Sequence, residues 1–312
     1  MDYPQAILTN DTTTLTVLLP GAGGYYRGSR FDWSGHVWQA EVAGHTWFAP
    51  FRVPHDPEAN DGAMGPAEEF GMGIAGLPGP LGYEEAIVGD TFLKVGVGVL
   101  ERDTDGEYSF GRNYPIRRPG PWETKACPDA VECRQAVTLG EWGYAYVKRI
   151  ELLASGAGFT VRHELRNTGA RAWSQGHYSH NFFLLDHQPV GPDYELSFPF
   201  AVQAQRDVSG RLTLGEGSLR FDRPVPAAEA VFTELAGYEP TAAHNGVTIA
   251  NRATGTAVEI SGDLPVQRYH FFATDRTVCP EPFVLITLAP GETQEWINRY
   301  VLTVGTGLPQ AS

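Results

Sequence analysis

Long apolar runs are missing from this 312-residue chain, and so is helical periodicity. No stretch of about 20 apolar residues occurs, which excludes a membrane-spanning helix. Cysteine is scarce: Cys127, Cys133 and Cys279 are too few and too irregularly spaced for a disulfide framework. Cys127 and Cys133 are near enough to pair across a short loop, although reduced thiols are the expectation for a cytoplasmic protein. Met1 to Pro20 lack a basic segment followed by an apolar one, and Thr12, Thr13 and Thr14 interrupt the only stretch that comes near. Cytoplasm is therefore the expected compartment. Positive charge is in deficit, with 23 Lys and Arg against 37 Asp and Glu, a formal net charge of -14. Phosphate backbones and anionic membranes call for a basic stripe, so neither is an expected partner. The acidic surface instead favours solubility. There is no Gly-x-Ser-x-Gly elbow, no helical pattern after Gly21-Ala22-Gly23-Gly24 to make a phosphate cradle, and no repeat of 20–50 residues.

The chain does hold many short β-branched or alternating runs, punctuated by its 36 Gly and 23 Pro. Thr12–Leu19, Thr91–Glu101, Tyr144–Leu153, Phe159–Asn167, Tyr178–Asp186, Val247–Asn251, Ala257–Ser261, Val266–Ala273, Phe283–Leu288 and Glu295–Val304 are expected strands. Turn signals such as Asn167-Thr168-Gly169, Asn245-Gly246 and Pro290-Gly291 separate them. Strands spaced this way predict an all-β, antiparallel sandwich. With no Ser- or Pro-rich linker, residues 1–312 are expected to form one domain. The irregular segment Ala49 to Ile87, which includes Gly71–Gly82, has the character of a binding or lid loop.

Two stretches carry candidate chemistry. In Gly176-His177-Tyr178-Ser179-His180-Asn181-Phe182-Phe183, strand alternation puts His180 on one face with Tyr178 and Phe182. His177 then falls on the other face, so a His177–His180 metal clip would need a bulge. In Cys279-Pro280-Glu281-Pro282-Phe283, flanking prolines fix the backbone and hold Glu281 rigidly at the entry to an apolar strand. A carboxylate partly buried among aromatics has its pKa raised, which suits acid/base work. Tyr25 to Trp33 is dense in arginine and aromatics, and Arg27, Arg30 and Arg52 are candidate clamps for a polar ligand, beside Tyr178 and His177. Glu68-Glu69, with His55-Asp56, offers hydroxyl or metal ligands, although a solvated loop face is the commoner outcome. Arg117-Arg118 could grip a phosphate or uronate. Asp186 and His187 are expected to form a loop pair.

Together, Tyr178-Ser179-His180-Asn181-Phe182-Phe183-Leu184, Glu281-Pro282 and Leu288-Ala289-Pro290-Gly291-Glu292-Thr293 resemble the histidine strand, the late glutamate and the closing hairpin of the aldose 1-epimerases, the galactose mutarotase family. The order and spacing of the three stretches fit, and Gly21 to Tyr26 is similar to the family's opening glycine turn. The resemblance implies a super-sandwich fold and a free or lightly modified sugar as substrate. It also implies cofactor-free and metal-free ring opening, with Glu281 taking the anomeric hydroxyl proton and His180 protonating the ring oxygen. The early half departs from the family: there is no Asn-x-Arg segment and no His-Gly pair. Two rival readings follow from the residues. One is a lyase or metal-dependent sugar isomerase using His177, His180 and a carboxylate. The other is a non-catalytic carbohydrate-binding module using the 7 Trp, 13 Tyr and 16 Phe as stacking platforms.

Overall fold

A computed structural model describes residues 3–74 and 76–305. Two large antiparallel sheets dominate it. A ten-stranded sheet contains the long strands Ala130–Leu139, Trp142–Leu152, Gly158–Asn167 and Thr293–Val304. A six-stranded sheet contains, in neighbouring order, Val231–Ala236, Arg268–Thr274, Thr277–Leu288, Trp173–Asn181 and Pro66–Phe70. Smaller sheets of four strands (Gln5–Thr9 through His45–Thr46) and three strands (Thr91–Lys94, Gly98–Glu101, Ile116–Pro119) complete the structure. The all-β expectation holds. No helix among the described residues is long and apolar enough to cross a membrane.

The inner faces of the two large sheets meet through Tyr146, His163, Trp296 and Tyr300 from one and Phe70, His177, Asn181 and Phe183 from the other. Burial follows the pleat. Gly158–Asn167 alternates buried and exposed residues because its outer face meets water. Pro66–Phe70 is buried at every position, and so is almost all of Trp173–Asn181, because loops also cover the outer face of the six-stranded sheet. Each large side chain removed from water in this way contributes about 1.5–3 kcal/mol. Gly176 keeps that cover close: a Cβ there would lie 2.8 Å from Met72 Sδ and 3.1 Å from Leu77 Cβ.

Several expected boundaries move. Thr91–Glu101 is not one strand but a hairpin, Thr91–Lys94 against Gly98–Glu101. The chain turns through Gly96 at φ +80, where a Cβ would lie 2.7–2.9 Å from Asp32 atoms. The segment expected to run on to Asp186 leaves the strand after Asn181, and Leu185–His187 forms a short 3-10 turn with Asp186 at φ 49. Asp186 and His187 are a loop pair as expected. Asp186 accepts from Thr46 N at 2.8 Å, and its other oxygen lies 2.8 Å from His45 Nδ1. The segment Ala49–Ile87 is not wholly irregular, since it supplies the buried edge strand Pro66–Phe70.

Candidate active site

The strand Thr277–Leu288 runs straight through Pro280-Glu281-Pro282, so Glu281 sits mid-strand rather than at a strand entry. Its ladder with Arg268–Thr274 is unbroken, with Glu281 opposite His270. Its ladder with Trp173–Asn181 stops at Tyr178 and Phe283, and contact resumes only at the isolated Phe183–Val278 bridge. The prolines account for the gap. Neither has an N–H to donate, so both fit only where no ladder bond is required of them. The Asn181 side-chain amide fills part of the opening by donating to Pro280 O at 2.9 Å. His180 and Glu281 stand next to each other across this gap, two residues along each strand from the Tyr178–Phe283 pair.

The two side chains meet. His180 Nε2 lies 3.2 Å from Glu281 Oε1, and the residues are 7% and 5% exposed. Burial pushes the Glu281 carboxyl up to about 8, an effect that Arg30 opposes and Glu69 reinforces. Burial, aided by Arg30, holds His180 well below the ordinary histidine value. Near neutral pH the pair therefore carries one proton, and in the free protein that proton rests on Glu281. This resting state is the reverse of the roles expected from sequence, in which Glu281 starts as the base.

Lateral neighbours extend the pair into a row across four strands: His180, Glu281, His270 and Glu234. His270 is pushed down to about 4 by burial, which Glu234 opposes. His180 Nδ1, Glu281 Oε1 and His270 Nε2 have no hydrogen-bond partner. The row is bounded on one side by aromatics: Phe182 stacks on His180 at 4.0 Å, and Phe272 and Phe31 meet it edge-on at 5.5 and 5.9 Å. On the other side Arg30 Nε pairs with Glu69 Oε2 at 2.9 Å. Arg30 Nη2 also donates to Tyr178 Oη at 2.7 Å, and the Tyr178 hydroxyl donates to Glu69. Lys94 balances the second Glu69 oxygen at 3.2 Å, and burial pushes its ammonium down to about 8. The Arg30 guanidinium packs between the Phe31 and Phe110 rings at 4.4 and 4.6 Å. This face brings aromatic surface, one fixed guanidinium and unpaired polar atoms together. Cys279 Sγ, His180 and Glu281 also place donor atoms within 4.8 Å of one another.

Not every expected residue belongs here. Arg30 and Tyr178 do. Arg27 instead pairs with Glu58 and donates to Ala22 O. It lines a separate surface cavity of about 970 Å³ with Trp33, Glu58 and Trp122, which holds neither His180 nor Glu281. Arg52 pairs with Asp61 at 2.7 Å on the surface. His177 points to the opposite face, as the parity of the strand requires, and lies 3.9 Å from Glu68. Glu68 and Glu69 are not a solvated loop pair. Adjacent on a strand, they are buried on opposite faces, and only Glu69 serves this site. His55 stacks on Tyr25 at 3.7 Å and belongs to neither face. Arg117 pairs with Glu101, and Arg118 donates to Thr138 O, both far along another sheet. Cys127 and Cys133 are free: in the register of their hairpin they sit opposite Ala130 and Thr124. Sequence reasoning missed His270, Glu234 and Phe272. Their signal was present in the alternation of Arg268-Tyr269-His270-Phe271-Phe272, but which strand lies beside Glu281 was not.

No family model and no curated protein sequence matches the chain. Solved structures do. A candidate aldose 1-epimerase from Escherichia coli K12 superposes with a TM-score of 0.56 at 15% identity, covering 96% of this chain and 99% of that one. The protein has the galactose mutarotase-like fold. A galactose mutarotase related enzyme from Lactobacillus acidophilus gives a TM-score of 0.56 at 12% identity, with 97% and 98% covered. A galactose 1-epimerase from the same species gives 0.50 at 10%, with 96% and 94% covered. At these identities the likeness establishes the mutarotase-like sandwich, and function rests on the site.

Proposed function

We propose that the protein is a cofactor-independent carbohydrate epimerase that interconverts the α and β anomers of an aldose. The observation that carries this reading is the desolvated His180–Glu281 pair at 3.2 Å, in which burial lowers the imidazole and raises the carboxyl. Opening a cyclic sugar takes a proton from the anomeric hydroxyl and gives one to the ring oxygen, so a singly protonated pair is the chemistry required. Starting from the resting state, Glu281 donates to the ring oxygen while His180 accepts from the anomeric hydroxyl. This leaves an imidazolium and a carboxylate beside the open-chain aldehyde. Rotation about C1–C2 and closure with the transfers reversed returns the proton to Glu281 and releases the other anomer. Arg30, fixed by Glu69 and Tyr178, donates to sugar hydroxyls. Phe31, Phe182 and Phe272 exclude water and present apolar surface to the ring. Three free cysteines accord with a reducing compartment such as the cytoplasm.

Anomer exchange measured by NMR across a panel of aldoses tests the proposal. The wild type is expected to accelerate exchange of at least one sugar, and His180→Asn and Glu281→Gln to lose that acceleration while remaining folded. Acceleration that survives both substitutions overturns the assignment. Glycan binding without exchange would favour the binding-module reading.

A further inference from the structure

The inner face of the six-stranded sheet holds a second cluster, separate from the His180–Glu281 row. Glu68 Oε1 lies 2.8 Å from His163 Nε2 and 3.9 Å from His177 Nε2, and all three side chains are essentially fully buried. Three different strands supply them: Pro66–Phe70, Gly158–Asn167 and Trp173–Asn181. The surrounding hydrogen bonds decide what the cluster lacks. Tyr146 has a single proton and donates it to Asp32 Oδ2 at 3.1 Å. Asp32 accepts in addition from Ser34 N and Ser34 Oγ. The Tyr146 oxygen must therefore accept from His163 Nδ1, 3.1 Å away. That fixes the ring with Nδ1–H toward Tyr146 and turns Nε2 toward the Glu68 carboxylate. A lone pair facing a carboxylate oxygen at 2.8 Å is repulsive unless a cation lies between them. A proton on Nε2 would pair with Glu68 at this distance, and a metal ion would take that proton's place. His177 Nε2 is without a partner. Two imidazole nitrogens and a carboxylate thus converge with their donor atoms within 4.8 Å of one another.

We propose that Glu68, His163 and His177 form a binding site for a divalent transition-metal ion of the zinc or cobalt class. Two imidazoles and one carboxylate are a borderline donor set suited to such ions. An ion held tetrahedrally at about 2.0–2.2 Å keeps its donors about 3.4 Å apart, so the 2.8 Å pair opens by about 0.6 Å and the wider pairs, all within 4.8 Å, close by about 1.4 Å or less. The outer partners have the form such sites take. Tyr146 orients His163, Lys148 holds the second Glu68 oxygen at 2.7 Å, and Trp296 stacks on His163 at 4.6 Å. Next to His177 and Ser179 is a cavity of about 20 Å³, also lined by Asn298 and Tyr300. It is large enough for one water as a further ligand. The ion ties the six-stranded sheet to the ten-stranded one, so its role is structural and independent of the sugar chemistry on the outer face.

Chelator-treated, folded protein titrated with Co²⁺ and followed by visible absorption tests the proposal, with Zn²⁺ as competitor. One equivalent of Co²⁺ is expected to give a saturable d–d band that Zn²⁺ abolishes, and either ion is expected to raise the unfolding temperature. His177→Phe keeps the apolar contacts with Phe70 and Trp296 and, removing a ligand rather than an outer partner, is expected to weaken Co²⁺ binding by at least about 100-fold, the upper end of the range for outer partners. Cys279→Ser and Glu281→Gln, on the other face, are expected to leave the band unchanged. The absence of a saturable band in folded wild type overturns the site. So does a band that survives His177→Phe, or one that is lost in Cys279→Ser.

Discussion

Replacing Glu281 by glutamine removes an ionisable group while keeping the shape of the protonated carboxyl. In the folded protein this carboxyl titrates at about 8, against an ordinary value of 4.5, chiefly because it is buried. As pH rises past 4.5 the unfolded chain gives up this proton while the folded chain keeps it. Glu281 therefore erodes stability steadily from about pH 4.5 until its folded pKa near 8, above which the loss is complete. Each unit corresponds to about 1.4 kcal/mol, so the cost is about 3 kcal/mol at pH 7 and about 5 kcal/mol above pH 8. Glu281→Gln escapes all of it. The variant is expected to match the wild type near pH 4, to exceed it by about 3 kcal/mol at pH 7, and to hold a still larger lead at pH 9. For a chain of this size that corresponds to an unfolding temperature about 5 °C higher at neutral pH. Parallel thermal and denaturant unfolding of both proteins between pH 4 and 9 measures it. A difference that does not change with pH, or a glutamine variant less stable than wild type at pH 8, would refute the desolvated-carboxyl reasoning. The same substitution is expected to abolish anomer exchange, so stability and activity should move in opposite directions.

His180→Asn is expected to lower the exchange rate by about 10²–10⁴-fold with little loss of folded protein, the range for removing a positioned proton-transfer group, and near-UV circular dichroism beside the NMR assay checks both. The exchange rate of the wild type should fall as pH rises through about 8, because the singly protonated pair is lost when Glu281 ionises; a rate flat from pH 7 to 9 would exclude that pair as the catalyst. Arg30→Met leaves Glu69 with Lys94 as its remaining cation, and equilibrium unfolding should show a cost of about 3 kcal/mol together with a raised KM. His270 is held at about 4 by burial, so the fold loses stability as pH drops below about 6.5, where the unfolded chain binds that proton. His270→Gln should flatten this acid-side fall by about 1 kcal/mol per pH unit between 6 and 4. Lys148→Met strands Asp32 and Glu68 in the interior and is expected to cost about 3–5 kcal/mol in denaturant titrations.

Local chemistry made much of this protein legible before its fold. Turn residues and β-branched runs place seven of the ten expected strands to within two residues, because glycine and proline punctuate the backbone whatever lies around them, while the shorter of the 23 described strands carried no such signal. Strand parity separated His180 from His177, because a pleat sends neighbours three apart to opposite faces in any sheet. The same rule applies to Glu68 and Glu69, which were misjudged only because their strand is short and lies in a loop-like sequence. Which strands lie side by side was not legible. Adjacency is set by long-range burial and register, so nothing near Glu281 announced His270, Glu234 or the split ladder that the two prolines require. Nor could sequence decide charge. A histidine and a glutamate in water hold their protons in the expected order, and only burial among Phe31, Phe182 and Phe272 moves the resting proton to the carboxyl. The sequence by itself marked seven of the ten expected strands, put His180 and His177 on opposite faces, and singled out His180 and Glu281. Tertiary structure alone decided which of the arginines reach that pair, which glutamate serves it, and that a second polar cluster is sealed between the sheets, because desolvation and contacts between distant residues arise only once the sheets have packed.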